Sequence, residues 1–207
     1  MALQQLQVEQ PAVFDVPRSG AIGALAAEIS MACENEGDFG AKARAALERA
    51  VACSDLLGSA QRQACCDGYA RHVLYSDPLS RFTILAIVWG AGQFSPAHAH
   101  HTWCAYAVYD GPLHETVYTS DPSGLAKAVC TKVRNPGYSC FAGAGLEQIH
   151  RLGNAGTMPA ISIHVYGVGR ERVATHVNRV LEVVEQKDSL LDQDYEGAGA
   201  APARHAR

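Results

Sequence analysis

Gly92-x5-His98-Ala99-His100-x3-Cys104-x6-Gly111 is the stretch of this chain that decides how the rest is read. Two imidazoles one residue apart on a β-strand project to the same face, because side chains along a strand alternate with a period of two. They can then hold one metal ion together. A third histidine arriving from a distant strand, for which His150 is the candidate, would complete a facial set and leave the other positions of an octahedral metal open.

The surroundings of this stretch read as strands. Upstream, Phe82-Thr-Ile-Leu-Ala-Ile-Val-Trp89 is β-branched and apolar throughout, as expected of a strand covered on both faces. Glycine and proline recur every eight to fifteen residues from Gly90 to Gly167, a spacing of short strands that predicts an all-β sandwich or barrel. The first third reads as helical. Ala21–Cys33 carries Ile22, Leu25, Ala26 and Ile29 at three- and four-residue intervals. Asp38 is placed to cap a second helix running to Leu57, and a third short helix is expected over Ala60–Gly68. After Gly169 the period returns to helical, with Val173, Val177, Val180, Leu181 and Val184. One domain is expected: a helical layer over 1–75, a barrel over 76–170, a helical or extended segment over 171–195, and a disordered low-complexity tail over 196–207.

Bulk properties exclude several classes. A chain of 207 residues with 48% hydrophobic and 18% charged residues is an ordinary globular composition. A net charge of -4 lacks the basic footprint of nucleic-acid binding. No apolar run approaches the roughly 18 residues that span a bilayer, and the first residues lack the pattern of a secretory signal. Seven irregularly spaced cysteines predict reduced thiols and a cytoplasmic setting rather than a disulfide framework. The adjacent pair Cys65-Cys66 reads as small buried core thiols of a helical segment.

Downstream, Gly137-x5-Gly143-x-Gly145-x4-His150-x3-Asn154 keeps glycines in register with a histidine and an asparagine. With the first stretch it resembles the paired motifs of the cupins, with Gly for Pro and two extra residues before the histidine. The resemblance implies a mainly β fold with N-terminal helices, a jelly-roll β-barrel with its metal inside. Cys104 stands where most cupins carry a metal-binding glutamate. That leaves His98, His100 and His150 as metal ligands, which is similar to the thiol dioxygenases: cysteine dioxygenase and the bacterial 3-mercaptopropionate and mercaptosuccinate dioxygenases.

Further residues carry this narrower resemblance. Ser162-Ile-His164-Val-Tyr166 resembles that family's Ser-x-His-x-Tyr relay, and Tyr69-Ala-Arg71 its Tyr-x-Arg, in which the arginine holds the substrate carboxylate. Cys104 falls where mammalian cysteine dioxygenase has the cysteine that becomes thioether-linked to the relay tyrosine, here Tyr166. The chain departs in having Ala99 between the two histidines and one residue fewer between His150 and Ser162. The stretch from Ser76 to Trp103 looks more like the mercaptopropionate enzymes, whereas Arg71 and Cys104 follow the cysteine or mercaptosuccinate type.

The resemblance implies Fe(II) as cofactor, O2 as co-substrate and a small carboxylate-bearing thiol as substrate. Tyr166, His164 and Ser162 would be catalytic, and Arg71 and Tyr69 would bind substrate. The alternative is a metal-binding cupin of another activity, an isomerase or a small-molecule sensor. His72, His114, His176 and His205 read as satisfied polar groups, His101 as pointing away from the pair, and Arg170 and Arg172 as a solvated face.

Overall fold

The computed structural model describes residues 20–35 and 37–184. Two helices, α1 (Ala21–Glu34) and α2 (Phe39–Val51), precede ten strands: β1 (Ala70–Ser76), β2 (Thr83–Trp89), β3 (His98–His100), β4 (Cys104–Asp110), β5 (Leu113–Ser120), β6 (Ala126–Arg134), β7 (Ser139–Ala142), β8 (Gly145–Gly153), β9 (Ala160–Tyr166) and β10 (Asn178–Val180). They form two five-stranded antiparallel sheets, ordered β1-β2-β9-β4-β7 and β10-β3-β8-β5-β6. From β2 onward the chain crosses repeatedly between the sheets, which makes a jelly-roll barrel. The motif glycines Gly92 and Gly111 have φ of 72° and 66°. That left-handed backbone costs glycine little and other residues more.

The first sheet is buried on both faces. Every residue of β2 and β9 is buried, because α1 and α2 cover the side turned away from the barrel. Leu25, Ile29 and Leu47 pack there with Ile84, Ala86, Val88, Ile161, Ile163 and Val165. Buried Ala43, Ala46 and Ala50 on α2 leave room for close approach to the sheet. Asp38 caps α2 as expected, its side chain accepting the Ala41 N–H at 2.9 Å.

Five expectations are corrected. Helix α2 stops at Val51 rather than Leu57; Leu56 and Leu57 are buried in the same core from an irregular segment. The third helix is a single 3-10 turn, Ser59–Arg62, and Cys65 and Cys66 beyond it are exposed rather than buried. The barrel begins at Ala70, not at 76, since β1 pairs with β2 along its length. No helix follows Gly169 among the described residues. Val173 and Val177 do share a buried face against Leu85 and Tyr166, but through turns, and the chain then extends as β10 to pair with β3. One turn's worth of helical spacing was satisfied without a helix. The remainder of the segment to 195 and the tail over 196–207 lie outside the described residues.

Candidate metal centre

Strand β3 presents His98 and His100 to one face, both buried, at 5% and 3% exposure. His150 on β8 stands directly opposite His98. The next pair is His100 with Gly145, so β8 advances five residues while β3 advances two. The bulge absorbs the extra residues that set the second motif apart and returns His150 to the cluster. Ring centroids are 5.0 Å apart for His98 and His100, 4.7 Å for His98 and His150, and 5.2 Å for His100 and His150. One potential ligand atom from each histidine lies within 4.8 Å of the other two.

Two of the rings are fixed by what their far nitrogens touch. His98 Nδ1 lies 2.9 Å from the Pro96 carbonyl and His150 Nδ1 lies 2.8 Å from Glu115 Oε1. A donated Nδ1–H leaves the Nε2 lone pair of each ring as the ligand. Burial, reinforced by the neighbouring rings, pushes His98 down to about 3 and His100 down to about 2. Both are neutral imidazoles at ordinary pH, the form that binds metal. His100 Nδ1 is buried with no hydrogen-bond partner, an orphaned donor or acceptor beside two other imidazoles. These residues fit a first-row divalent metal: three imidazole nitrogen donors with no carboxylate among them.

The cluster borders a small cavity of about 20 Å3, lined also by Tyr69, Arg71, His164 and Tyr166. A wider cavity of about 340 Å3 meets His100 and His150 from the side of Glu115, Arg134 and Cys140. Arg71 comes from β1 and is only 6% exposed. Its Nη2 donates to the Val173 carbonyl at 3.3 Å, its Nε has no partner, and no carboxylate pairs with it among the described residues. Tyr69 stacks on Trp89 with centroids 4.6 Å apart. Burial raises its phenol, with Arg71 opposing.

On β9, Ser162, His164 and Tyr166 share the inner face and are all buried. Ser162 Oγ lies 2.8 Å from His164 Nε2, and His164 Nδ1 lies 3.2 Å from the Tyr166 hydroxyl. Trp89 Nε1 donates to Ser162 Oγ at 2.9 Å. An indole N–H can only donate, so the serine proton is free to go to His164 Nε2. The histidine then donates from Nδ1 to the phenol oxygen, and the Tyr166 O–H is left to donate into the cavity. Burial, with Arg71 adding to it, drives His164 well below its ordinary range and so keeps the ring neutral, as this chain of hydrogen bonds requires. Burial also raises the Tyr166 phenol, keeping it protonated. Cys104 is directly opposite Tyr166 in the β4–β9 register and is buried.

The structure brings Tyr69, Arg71, His98, His100, His150, His164 and Tyr166 around one small cavity, with Cys104 at its border and Ser162 behind His164. His101 is exposed, as are Arg170 and Arg172. His114 and His176 have hydrogen-bond partners; His72 does not, its Nε2 being buried and unpaired. His205 lies outside the described residues. Three contributors were missed: Glu115, Arg134 and Asn178. Glu115 was legible in part, because Leu113-x-Glu115-x-Val117 puts it on an apolar strand face. Asn178 lines the small cavity with its Oδ1 unpaired, but sat in a stretch read as helical.

No family model matches the chain. Among solved structures, the chain is similar to an uncharacterised conserved protein with a double-stranded β-helix domain from Klebsiella pneumoniae. The identity is 16%, covering 62% of this chain and 93% of that one, with a TM-score of 0.46. An RmlC-like cupin family protein from Methanocaldococcus jannaschii matches at 12% identity over 50% and 84%, with a TM-score of 0.38. Oxalate decarboxylase of Bacillus subtilis, a protein with Mn(II) centres, matches at 18% identity over 44% and 22%, with a TM-score of 0.35. The fold class is the expected one, a mainly β jelly-roll barrel with N-terminal helices. No helix among the described residues is long and apolar enough to cross a membrane.

Proposed function

We propose that the protein is a non-haem iron(II)-dependent thiol dioxygenase acting on a small carboxylate-bearing thiol: cysteine, 3-mercaptopropionate or mercaptosuccinate. The observation that carries this reading is Arg71, a buried guanidinium without an acidic partner beside a cluster of three histidines. A buried cation left unpaired is costly, and an anionic substrate would supply the missing charge. When bound at His98, His100 and His150, ferrous iron supplies open positions at which a thiolate and dioxygen react, R–SH + O2 giving R–SO2H, with all four electrons coming from sulfur.

The protein's own groups then have defined tasks. Arg71 holds the carboxylate through its planar fork, with Tyr69 beside it, and so fixes the distance from carboxylate to sulfur. Tyr166, oriented by His164, Ser162 and Trp89, offers its hydroxyl proton to the oxygen atoms of the reacting group. The small cavity restricts the occupant to a compact molecule. Cys104, facing Tyr166 across the strand pair, is positioned for a thioether that would lock the phenol ring.

Oxygen consumption tests the reading, with the three thiols compared against cysteamine, which lacks the carboxylate. Sulfinate should form at one O2 per thiol from at least one of the three. Arg71→Met should lower kcat/KM for it by about 10- to 150-fold, equivalent to the ~1.5–3 kcal/mol of a charge-assisted hydrogen bond, while leaving any cysteamine rate unchanged. Iron-loaded protein that forms no sulfinate from any of these thiols would refute the assignment.

A further inference from the structure

Glu115 is a carboxylate that the chain has buried at some cost, at 5% exposure, and both of its oxygens are committed. Oε1 accepts from His150 Nδ1 at 2.8 Å. Oε2 accepts from Arg134 Nε at 2.8 Å, and Arg134 Nη2 completes the ion pair 2.7 Å from the same oxygen. The Arg134 guanidinium in turn lies over the Tyr138 ring, 4.1 Å from its centroid.

The three groups follow from strand register. Val117 of β5 is opposite His150 of β8, so Glu115, two residues along on the same face, is its diagonal neighbour. Leu113 is opposite Arg134 of β6, which places Arg134 diagonal to Glu115 from the other side. A line of polar contacts therefore crosses β8, β5 and β6 and ends on one of the three clustered histidines. His98 has the Pro96 carbonyl and, at 3.5 Å, the Ser95 hydroxyl at the corresponding nitrogen, and His100 Nδ1 has no partner. His150 alone is held by an anion.

We propose that Glu115, itself clamped by Arg134, is the positioning residue of the metal centre. It turns His150 so that Nε2 faces His98 and His100, and it places one negative charge a single side chain outside an otherwise neutral ligand set. The inference rests on the metal-centre part of the function proposed above and not on the thiol. The inner set holds no carboxylate; Glu115 supplies that charge from one layer out, through the imidazole, where it strengthens the ring as a donor.

Cobalt(II) titration of the metal-free protein, read by the visible absorption of the bound ion, tests this without any turnover. Glu115→Ala should weaken the dissociation constant by 10- to 100-fold, the range seen when such outer partners are removed, and should alter the cobalt spectrum. Glu115→Gln retains an acceptor without the charge and should fall between parent and alanine. Arg134→Gln should give a smaller loss, because Glu115 is present but no longer held. The double variant Glu115→Leu with Arg134→Met removes the pair together and avoids stranding a buried charge.

If that double variant melts as the parent does when metal-free yet binds cobalt as tightly, with an unchanged spectrum, the proposal is overturned. It is also overturned if Glu115→Ala loses affinity only in proportion to unfolding, or if the parent takes up no cobalt. A parent that binds cobalt but oxidises no thiol would refute the catalytic reading alone.

Discussion

The two sheets of the barrel divide the work unequally. The β1-β2-β9-β4-β7 sheet is sealed on its outer face by α1 and α2 and carries most of the large apolar core. The β10-β3-β8-β5-β6 sheet has no such cover among the described residues: Val129 and Val133 of β6 are 62% and 54% exposed. Yet all three clustered histidines and the Glu115–Arg134 pair belong to this second sheet, while the Ser162–His164–Tyr166 chain and Arg71 belong to the first. The candidate metal ligands are thus carried by the thinner wall, and the groups that would meet a substrate by the thicker one. A rigid, doubly buried sheet suits side chains whose orientation must hold to a few tenths of an ångström.

The sharpest way to break this division is His150→Ala. It should reduce bound iron from about one per chain to background, by metal analysis after desalting, whereas His101→Ala, on an exposed residue, should retain it. The reverse pattern would mean that the second sheet does not hold the metal. Next in size is a matched pair of stability measurements. Ile163→Ala, at a fully buried site of the first sheet, should cost about 2–5 kcal/mol in urea unfolding. Val133→Thr on the open face of the second should stay within about 0.5 kcal/mol. Equal losses would contradict the contrast. The smallest effect concerns the first sheet alone. If Cys104 and Tyr166 become thioether-linked, each loses a hydrogen and two electrons pass to dioxygen. A fraction of the protein should then be lighter by two hydrogens in intact-mass spectra, and Cys104→Gly should abolish that species.

The same contrast explains what could be read from sequence. Strands β2 and β9 are long and pack on two sides, so the apolar run Phe82–Trp89 and the alternation around Ser162–Tyr166 stood out. Two histidines and two φ-demanding glycines at fixed spacing then pointed to the histidine cluster. Strands β3 and β10 are three residues each, too short for periodicity to register. Asn178 and the pairing of β10 with β3 are tertiary facts, and the valine spacing after Gly169 pointed to a helix instead. Tyr69 and Arg71 were recognised by motif, but the strand that carries Arg71 was not, because only Arg71 and Leu74 of β1 are buried, three residues apart and without clean alternation. Glu115 escaped because its significance lies in diagonal neighbours on two other strands.

The late segment of the chain has a consequence for assembly. Arg71 is fastened by the carbonyl of Val173, 102 positions farther along, and β3 has β10 as its neighbour on one side. A nascent chain that has emerged only as far as Tyr166 already contains all three histidines and the serine–histidine–tyrosine trio. It still lacks both fasteners. Contacts this remote along the polymer form slowly, so the pocket around the three histidines is fully framed only once the chain has passed Val180.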